Sequence, residues 1–404
     1  MRPAATHSVP QRPLRVLFVD SQAELCGTSF ALLAMLKYLD RGEIEPVYAS
    51  ATPDGGEMPA EVEKLGIPAL HVAVGRFREV MRTSRAVAEF VQLIRRNEID
   101  LVFANTGHTM LFVRPAALAT RRPCVWWCHG YVPREKAGLE LIALAQRMFS
   151  GELIFANSEF TATQLAPDFP AQTIRVIRPA VDFERFRPDP AAGARVRAEE
   201  GIPADQPLIG IFGRLQHWKG QHVFLRAAAL LAGRGLPFTA IVAGGTLFGI
   251  EPEYQSEVDR LSASPSLAGR VRFLGNRRNP EEWMNACDLV VHASVEPEPW
   301  GLVVAESMCC GRAVIASAAG GPLEMIDHKR TGWLSAPADE VALATSLEML
   351  LANPALRAEL GRAARRHAER EFDPRRAAAQ LSSELWRLWV SRFDGLEILP
   401  EVSA

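Results

Sequence analysis

The chain has 404 residues, of which 48% are hydrophobic and 23% charged, and its formal net charge is -2. That length exceeds one ordinary core and fits two domains of roughly 150 to 200 residues each. A balance this close to neutral gives no global field to draw nucleic acid or an acidic membrane. The six scattered cysteines lack the density of a disulfide scaffold.

Taken in chain order, residues 1–12 are polar and proline-bearing, without the apolar core of a signal peptide. Short apolar runs at 14–19, 46–50, 70–74, 101–104, 124–128, 153–156 and 174–177 predict strands covered on both faces of a parallel sheet. Helical periodicity at 29–39, 77–96, 109–119 and 136–149 alternates with them, so 13–178 is expected to form a doubly wound α/β domain. Prolines at 179, 188, 190 and 203 then break the rhythm, and 179–206 is expected to be an inter-domain linker.

The alternation restarts with a strand at 208–212 and a helix from Lys219. Further strands are expected at 238–243, 270–274, 288–292, 313–316 and 332–334, which gives a second α/β domain over 207–374. A last helix at 375–393 is long enough, at about 1.5 Å per residue, to reach back across a neighbouring domain. No run of about 18 apolar residues occurs, so no membrane span is expected. Cys124 and Cys128 flank no second pair at zinc-site spacing, so the cysteines are expected as free thiols in a reducing compartment and no metal is expected.

Two loops carry the chemistry. Gly213-Arg214-Leu215-Gln216-His217-Trp218-Lys219-Gly220 follows an apolar strand and sets Arg214 and Lys219 at the C-terminal edge of the sheet, where ligands of open α/β sheets bind. Arginine grips phosphate oxygens bidentately and lysine acts as a point charge. Two such cations stabilise the charge that builds on a departing diphosphate, without a metal. Downstream, Glu298-Pro299-Trp300-Gly301-Leu302-Val303-Val304-Ala305-Glu306 puts one carboxylate in a loop and the other inside the helix that Gly301 opens. The start of that helix offers free N–H groups to an anion. Cations for a diphosphate and carboxylates for hydroxyl groups together describe a nucleotide-sugar site; the plainer alternative is a solvated loop and two ordinary helix carboxylates.

Other segments are weaker. Gly244-Gly245 follows a strand, but the spacing around it is not that of a dinucleotide loop. Asn157-Ser158-Glu159 reads as a helix cap at Ser158. Arg78, Arg82 and Arg85 share a helical spacing and form either a solvated face or a patch for an anionic membrane.

The order of Gly213-Arg214-Leu215, Lys219-Gly220, Phe273-Leu274-Gly275, Cys287-Asp288, Glu298-Pro299-Trp300-Gly301, Glu306 and Gly320-Gly321 resembles the C-terminal domain of glycosyltransferase family 4. The resemblance is specific over 208–334 and looser before it. It implies a GT-B fold: two facing Rossmann-like doubly wound domains with a C-terminal helix crossing back to the first. It also implies a nucleotide-sugar donor on the second domain, an acceptor on the first, no cofactor or metal, and transfer with retention. By the same resemblance Arg214 and Lys219 bind the diphosphate, Glu298 the donor sugar and Glu306 the ribose. Leu274 and nearby backbone hold the base, and the amides of Leu302 and Val303 beside Gly301 complete the phosphate cradle. His129 matches the histidine that faces the donor sugar, and Gly27 the glycine loop near the β-phosphate, with Cys26 where a second glycine is usual. Trp300 stands where phenylalanine is common.

The expected function is therefore a cytoplasmic, retaining glycosyltransferase that moves a hexose-type sugar to a hydroxyl acceptor: a sugar, a glycolipid or a small molecule. It would act in bacterial-type glycan, glycolipid or glycoconjugate synthesis, with peripheral membrane contact left open. Loops 107–110 and 131–138 are expected to carry acceptor choice, and the domains to close on donor binding. The alternatives are a GT-B isomerase or phosphorylase, and a nucleotide-sugar-binding pseudoenzyme, which intact Arg214, Lys219 and Glu298 argue against.

Overall fold

The computed structural model describes residues 12–74, 80–130, 151–245 and 251–394. The chain divides into two units, Met1–Ala180 with Pro374–Ala404, and Val181–Asp373.

The first unit is built on seven parallel strands: β1 (Leu14–Asp20), β2 (Ile44–Ser50), β3 (Ala69–His71), β4 (Leu101–Ala104), β5 (Cys124–Cys128), β6 (Leu153–Ala156) and β7 (Thr173–Val176). Their order is β3-β2-β1-β4-β5-β6-β7. Every residue of β4, β5 and β6 is buried, which is why these segments are continuously apolar rather than alternating. Each face of the sheet has its own core. Leu17, Val19, Phe90 and Phe112 lie on one side, and Phe18, Phe103, Trp127 and Phe155 on the other. The segment 107–110, expected as a loop, is the first turn of the helix Gly107–Thr120. The expected helix 136–149 and loop 131–138 fall outside the described residues.

The second unit has six parallel strands: β8 (Leu208–Phe212), β9 (Thr239–Ala243), β10 (Val271–Gly275), β11 (Leu289–His292), β12 (Ala313–Ser317) and β13 (Trp333–Ser335). They run in the order β10-β9-β8-β11-β12-β13. The helix expected from Lys219 begins instead at Gln221, after a short 3₁₀ turn His217–Lys219. Gly220 separates the two with a φ of +72°, a left-handed conformation that interrupts a right-handed helix.

The proline-rich stretch 179–206 is more than a connection. It contains the helix Pro190–Glu199, capped by the Asp189 side chain on the amide of Ala192, and Val196 joins the second unit's core with Leu208 and Cys287. Proline at the first helical position lacks only an N–H that would have no partner there, so Pro190 starts a helix instead of preventing one. The C-terminal region forms the helices Glu340–Leu351, Pro354–Glu371 and Pro374–Asp394. The last belongs to the first unit, where Ala378, Leu381, Leu385 and Leu388 share a core with Leu32, Met35 and Leu36. No described helix is long and apolar enough to cross a membrane.

Candidate active site

In the second unit β8 is flanked by β9 and β11, so the chain order reverses between β8 and β11. In open α/β sheets such a switch point, at the C-terminal edge of the strands, is where ligands bind. The sequence delivers its two charged loops to this point. They are also tied together by main chain: the carbonyl of Trp218 accepts the amide of Val295 at 2.8 Å. A Cβ on Gly220 would lie 1.9 Å from the carbonyl oxygen of Ala293, so only glycine allows this approach.

The consequence is an ion pair across the switch point, with Lys219 Nζ 2.7 Å from Glu298 Oε2. The same oxygen receives His292 Nε2 and Ser294 Oγ, each at 3.0 Å. Burial alone would push Glu298 up, but the charge of Lys219 and the bond from His292 outweigh it and hold the carboxyl well below the usual carboxylate range. Burial draws Lys219 down from its ordinary value, and Glu298 opposes the fall. Lys219 Nζ also sits over the Trp218 ring, 3.9 Å from its centroid. Lys219 and Glu298, expected as ligands of different parts of a donor, are each other's partners in the fold.

Arg214 is exposed on the same loop, close enough to Lys219 that its charge lowers the lysine further. Its guanidinium makes no hydrogen bond or ion pair among the described residues, while its carbonyl accepts Gln221 Nε2 at 2.8 Å. Gly301, with φ +98°, opens the helix Leu302–Cys309, and no side chain caps it. The amides of Leu302 and Val303 therefore head that helix without an internal acceptor. Glu306, inside the helix, is only 8% exposed, and its carboxyl group accepts no hydrogen bond among the described residues. Burial pushes it up to about 8, with Arg185 opposing and Glu281 reinforcing. The main chain of Glu298 is clamped by Gly321, whose amide donates to the Glu298 carbonyl at 2.7 Å. Leu274, at the end of β10, has its side chain in the core, as does Trp300, which packs edge-on against Phe372.

In the first unit β1, β4 and β5 are neighbours, and Asp20, Asn105 and His129 lie at or just beyond their C-terminal ends. His129 Nε2 is 2.9 Å from Asn105 Oδ1, and Asn105 Nδ2 donates to the carbonyl of Thr28 at 3.2 Å. Burial pushes His129 down to about 3 and Asp20 up to about 6, the latter opposed by the amide of Ser21 and the side chain of Asn105. Gly27 begins the helix Gly27–Tyr38, and a Cβ there would meet nothing within 4 Å. Ser158 Oγ accepts the amide of Thr161 at 2.9 Å, the capping role expected of it. Of the three arginines that share a helical spacing, Arg85 pairs with Glu89 at 3.0 Å; Arg78 and the side chain of Arg82 fall outside the described residues.

Asn105, His292 and Ser294 did not emerge from the sequence reading. The available signal was a polar residue at the end of an otherwise apolar strand, as in Val290-Val291-His292.

Residues 27–185 match the model of Glycosyltransferase Family 4, and residues 194–367 that of Glycosyl transferases group 1. The chain belongs to glycosyltransferase family 4. A D-inositol 3-phosphate glycosyltransferase of Saccharomonospora viridis is 28% identical over 372 residues, 89% of this chain and 81% of the relative. One from Streptomyces avermitilis is 34% identical over 274 residues, but that match spans only 65% of this chain and 55% of the relative. Among solved structures, Anabaena HepE in complex with UDP and glucose superposes with a TM-score of 0.81 at 28% identity, covering 92% of this chain and 99% of that one. This family 4 glycosyltransferase thus has the GT-B fold, and the Lys219–Glu298 pair lies within the region matched by the group 1 model.

Proposed function

We propose that this glycosyltransferase is a retaining enzyme that moves a hexose-type sugar from a nucleoside diphosphate to a hydroxyl acceptor, with protein cations in place of a metal. The observation that carries the proposal is the Lys219–Glu298 pair at 2.7 Å across the switch point of the second sheet, with Arg214 on the same loop. Lysine has three N–H donors, and Glu298 occupies one, which leaves two for phosphate oxygens. Arg214 and the amides of Leu302 and Val303 complete an anion site at the start of a helix. Glu298 accepts from a sugar hydroxyl, Glu306 from the ribose, and the base lies beside Leu274. The roles the family resemblance gives to His129, contact with the donor sugar, and to Gly27, approach to the β-phosphate, belong to the same proposal.

The reaction is written as a front-face substitution. The bond from the anomeric carbon to the β-phosphate oxygen breaks, and its electrons stay on the phosphate, where Arg214 and Lys219 stabilise them. The acceptor oxygen joins the anomeric carbon on the same face, and its proton passes to the departing phosphate oxygen. HepE, solved with UDP and with UDP-glucose, makes a uridine diphosphate hexose the first donor to test. Relatives named for D-inositol 3-phosphate favour a polyol or sugar hydroxyl as acceptor.

Slow hydrolysis of a panel of nucleotide-sugars, measured with and without EDTA, tests the proposal. Release of free hexose and nucleoside diphosphate, unchanged by chelation, is expected. Binding without turnover would indicate a pseudoenzyme, a rearranged sugar an isomerase, and loss of activity restored by Mg²⁺ a metal-dependent transferase.

A further inference from the structure

Three donors converge on one oxygen of Glu298, and two of them come from the end of a single strand. His292 closes β11 and Ser294 follows it, and both are buried. Their donors reach Glu298 Oε2 at 3.0 Å each, alongside Lys219 at 2.7 Å, while Oε1 accepts nothing among the described residues. A carboxylate can only accept, so the geometry assigns the His292 proton to Nε2 and the Ser294 hydroxyl hydrogen to Oε2, and Ser294 Oγ, which also lies 3.0 Å from Nε2, is a second acceptor for that N–H. His292 Nδ1 is sealed from solvent and has no partner among the described residues. A buried polar atom left unpaired costs free energy. An apolar side chain of similar size would avoid that cost, so what the imidazole contributes is its bond to Glu298.

Lysine alone would hold the carboxylate loosely, because its ammonium is a point charge on a flexible four-carbon stem. An imidazole on the last residue of a buried strand has little freedom. Its carbonyl, moreover, accepts Ser317 Oγ from the neighbouring strand β12 at 3.4 Å. Two donors fixed to the sheet therefore set the plane of the carboxylate, and Lys219 keeps N–H groups for another ligand.

We infer that His292 is a positioning residue for donor-sugar recognition: with Ser294 it anchors Glu298 Oε2, so that Oε1 is the one acceptor presented to a sugar hydroxyl. The inference rests on the proposed assignment of Glu298 to the donor sugar. It predicts a particular split. Damage at His292 lowers the affinity gained from the sugar and leaves unchanged the affinity for the nucleoside diphosphate, which Arg214, Lys219 and the helix start provide.

The test uses the full-length protein and calorimetric titration with three probe pairs, UDP with UDP-glucose, GDP with GDP-mannose and ADP with ADP-glucose, in wild type, His292→Leu, His292→Gln, Ser294→Ala and Glu298→Gln. For the pair that wild type binds, His292→Leu should keep the nucleoside diphosphate Kd within about twofold. It should reduce the advantage of the sugar conjugate by about tenfold, the scale of one hydrogen bond to a charged group. Ser294→Ala should shift the same way by less. His292→Gln, whose amide nitrogen reaches the position of Nε2, should recover most of the advantage. A merely structural role would weaken both ligands together, and that result overturns the inference, as does an unchanged ratio in His292→Leu and Ser294→Ala. If Glu298→Gln loses the advantage and the other variants keep it, the inference fails alone. If Glu298→Gln keeps it, or wild type binds none of the pairs, the proposed donor site fails and the inference with it.

Discussion

Arg214 and Lys219 carry the same charge in different settings, and that difference separates their roles experimentally. Each removal should lower turnover by about two orders of magnitude, because each takes a cation from the leaving group. Only Lys219→Ala should also destabilise the fold, by about 3 kcal/mol, since it leaves the buried Glu298 carboxylate without its counter-charge. Arg214, exposed and without a side-chain partner among the described residues, should leave the urea midpoint unchanged. Steady-state kinetics and urea titrations of the two variants check this contrast. Glu306 gives a second residue-scale test. Burial, reinforced by Glu281 against Arg185, raises it to about 8, so the folded state holds a proton that the unfolded chain releases in the ordinary carboxylate range. Its contribution to stability is thus complete at pH below that range and is lost as the pH rises through about 8. Wild type should lose stability relative to Glu306→Gln between about pH 5 and pH 9, and denaturation midpoints across that range measure it. Superimposable pH profiles of the two proteins would show that Glu306 is not buried as described.

At the scale of elements, helix Pro374–Asp394 and the Glu298 clamp matter most. Leu381 and Leu385 are fully buried in the first unit's core, so Leu385→Ala should cost about 2–5 kcal/mol, read as a lower thermal midpoint. Gly320 holds φ +70°, and a Cβ there would lie 2.2 Å from the carbonyl oxygen of Glu298. Gly320→Ala should therefore displace Glu298 and weaken nucleotide-sugar binding, which calorimetry reads directly. Most of the parallel strands were legible because continuous apolar runs such as 101–104 and 153–156 have little other use in a chain of this size. The helix Pro190–Glu199 was not legible, because a proline at the first helical position looks the same in sequence as one that breaks a helix. The charged ends of the site, Arg214, Lys219, Glu298 and Glu306, could be read from loop position after apolar strands. Asn105 could not, because its meeting with His129 depends on β4 lying beside β5, nor could His292, because only the path of the loop brings Glu298 back to the end of the strand it has just left.

For the whole molecule, the division of the chain is unequal in sequence. The second unit is one continuous segment, Val181–Asp373, whereas the first needs the distant helix Pro374–Asp394 to complete its core. A fragment of residues 181–373 should therefore fold alone and bind nucleoside diphosphate, while residues 1–180 without the C-terminal helix should aggregate or unfold. Circular dichroism and calorimetry on the two fragments test this. The central claim is that a diphosphate is held at the β8/β11 switch point by Arg214 and Lys219. Calorimetric titration of full-length wild type and of an Arg214→Ala/Lys219→Ala double variant with UDP, GDP and ADP, all in EDTA, tests that claim most directly. The account predicts that wild type binds at least one of the three and that the double variant, still folded, binds it at least about 100-fold more weakly. Equal affinity in the two proteins, or no binding of any of the three by wild type, would contradict it.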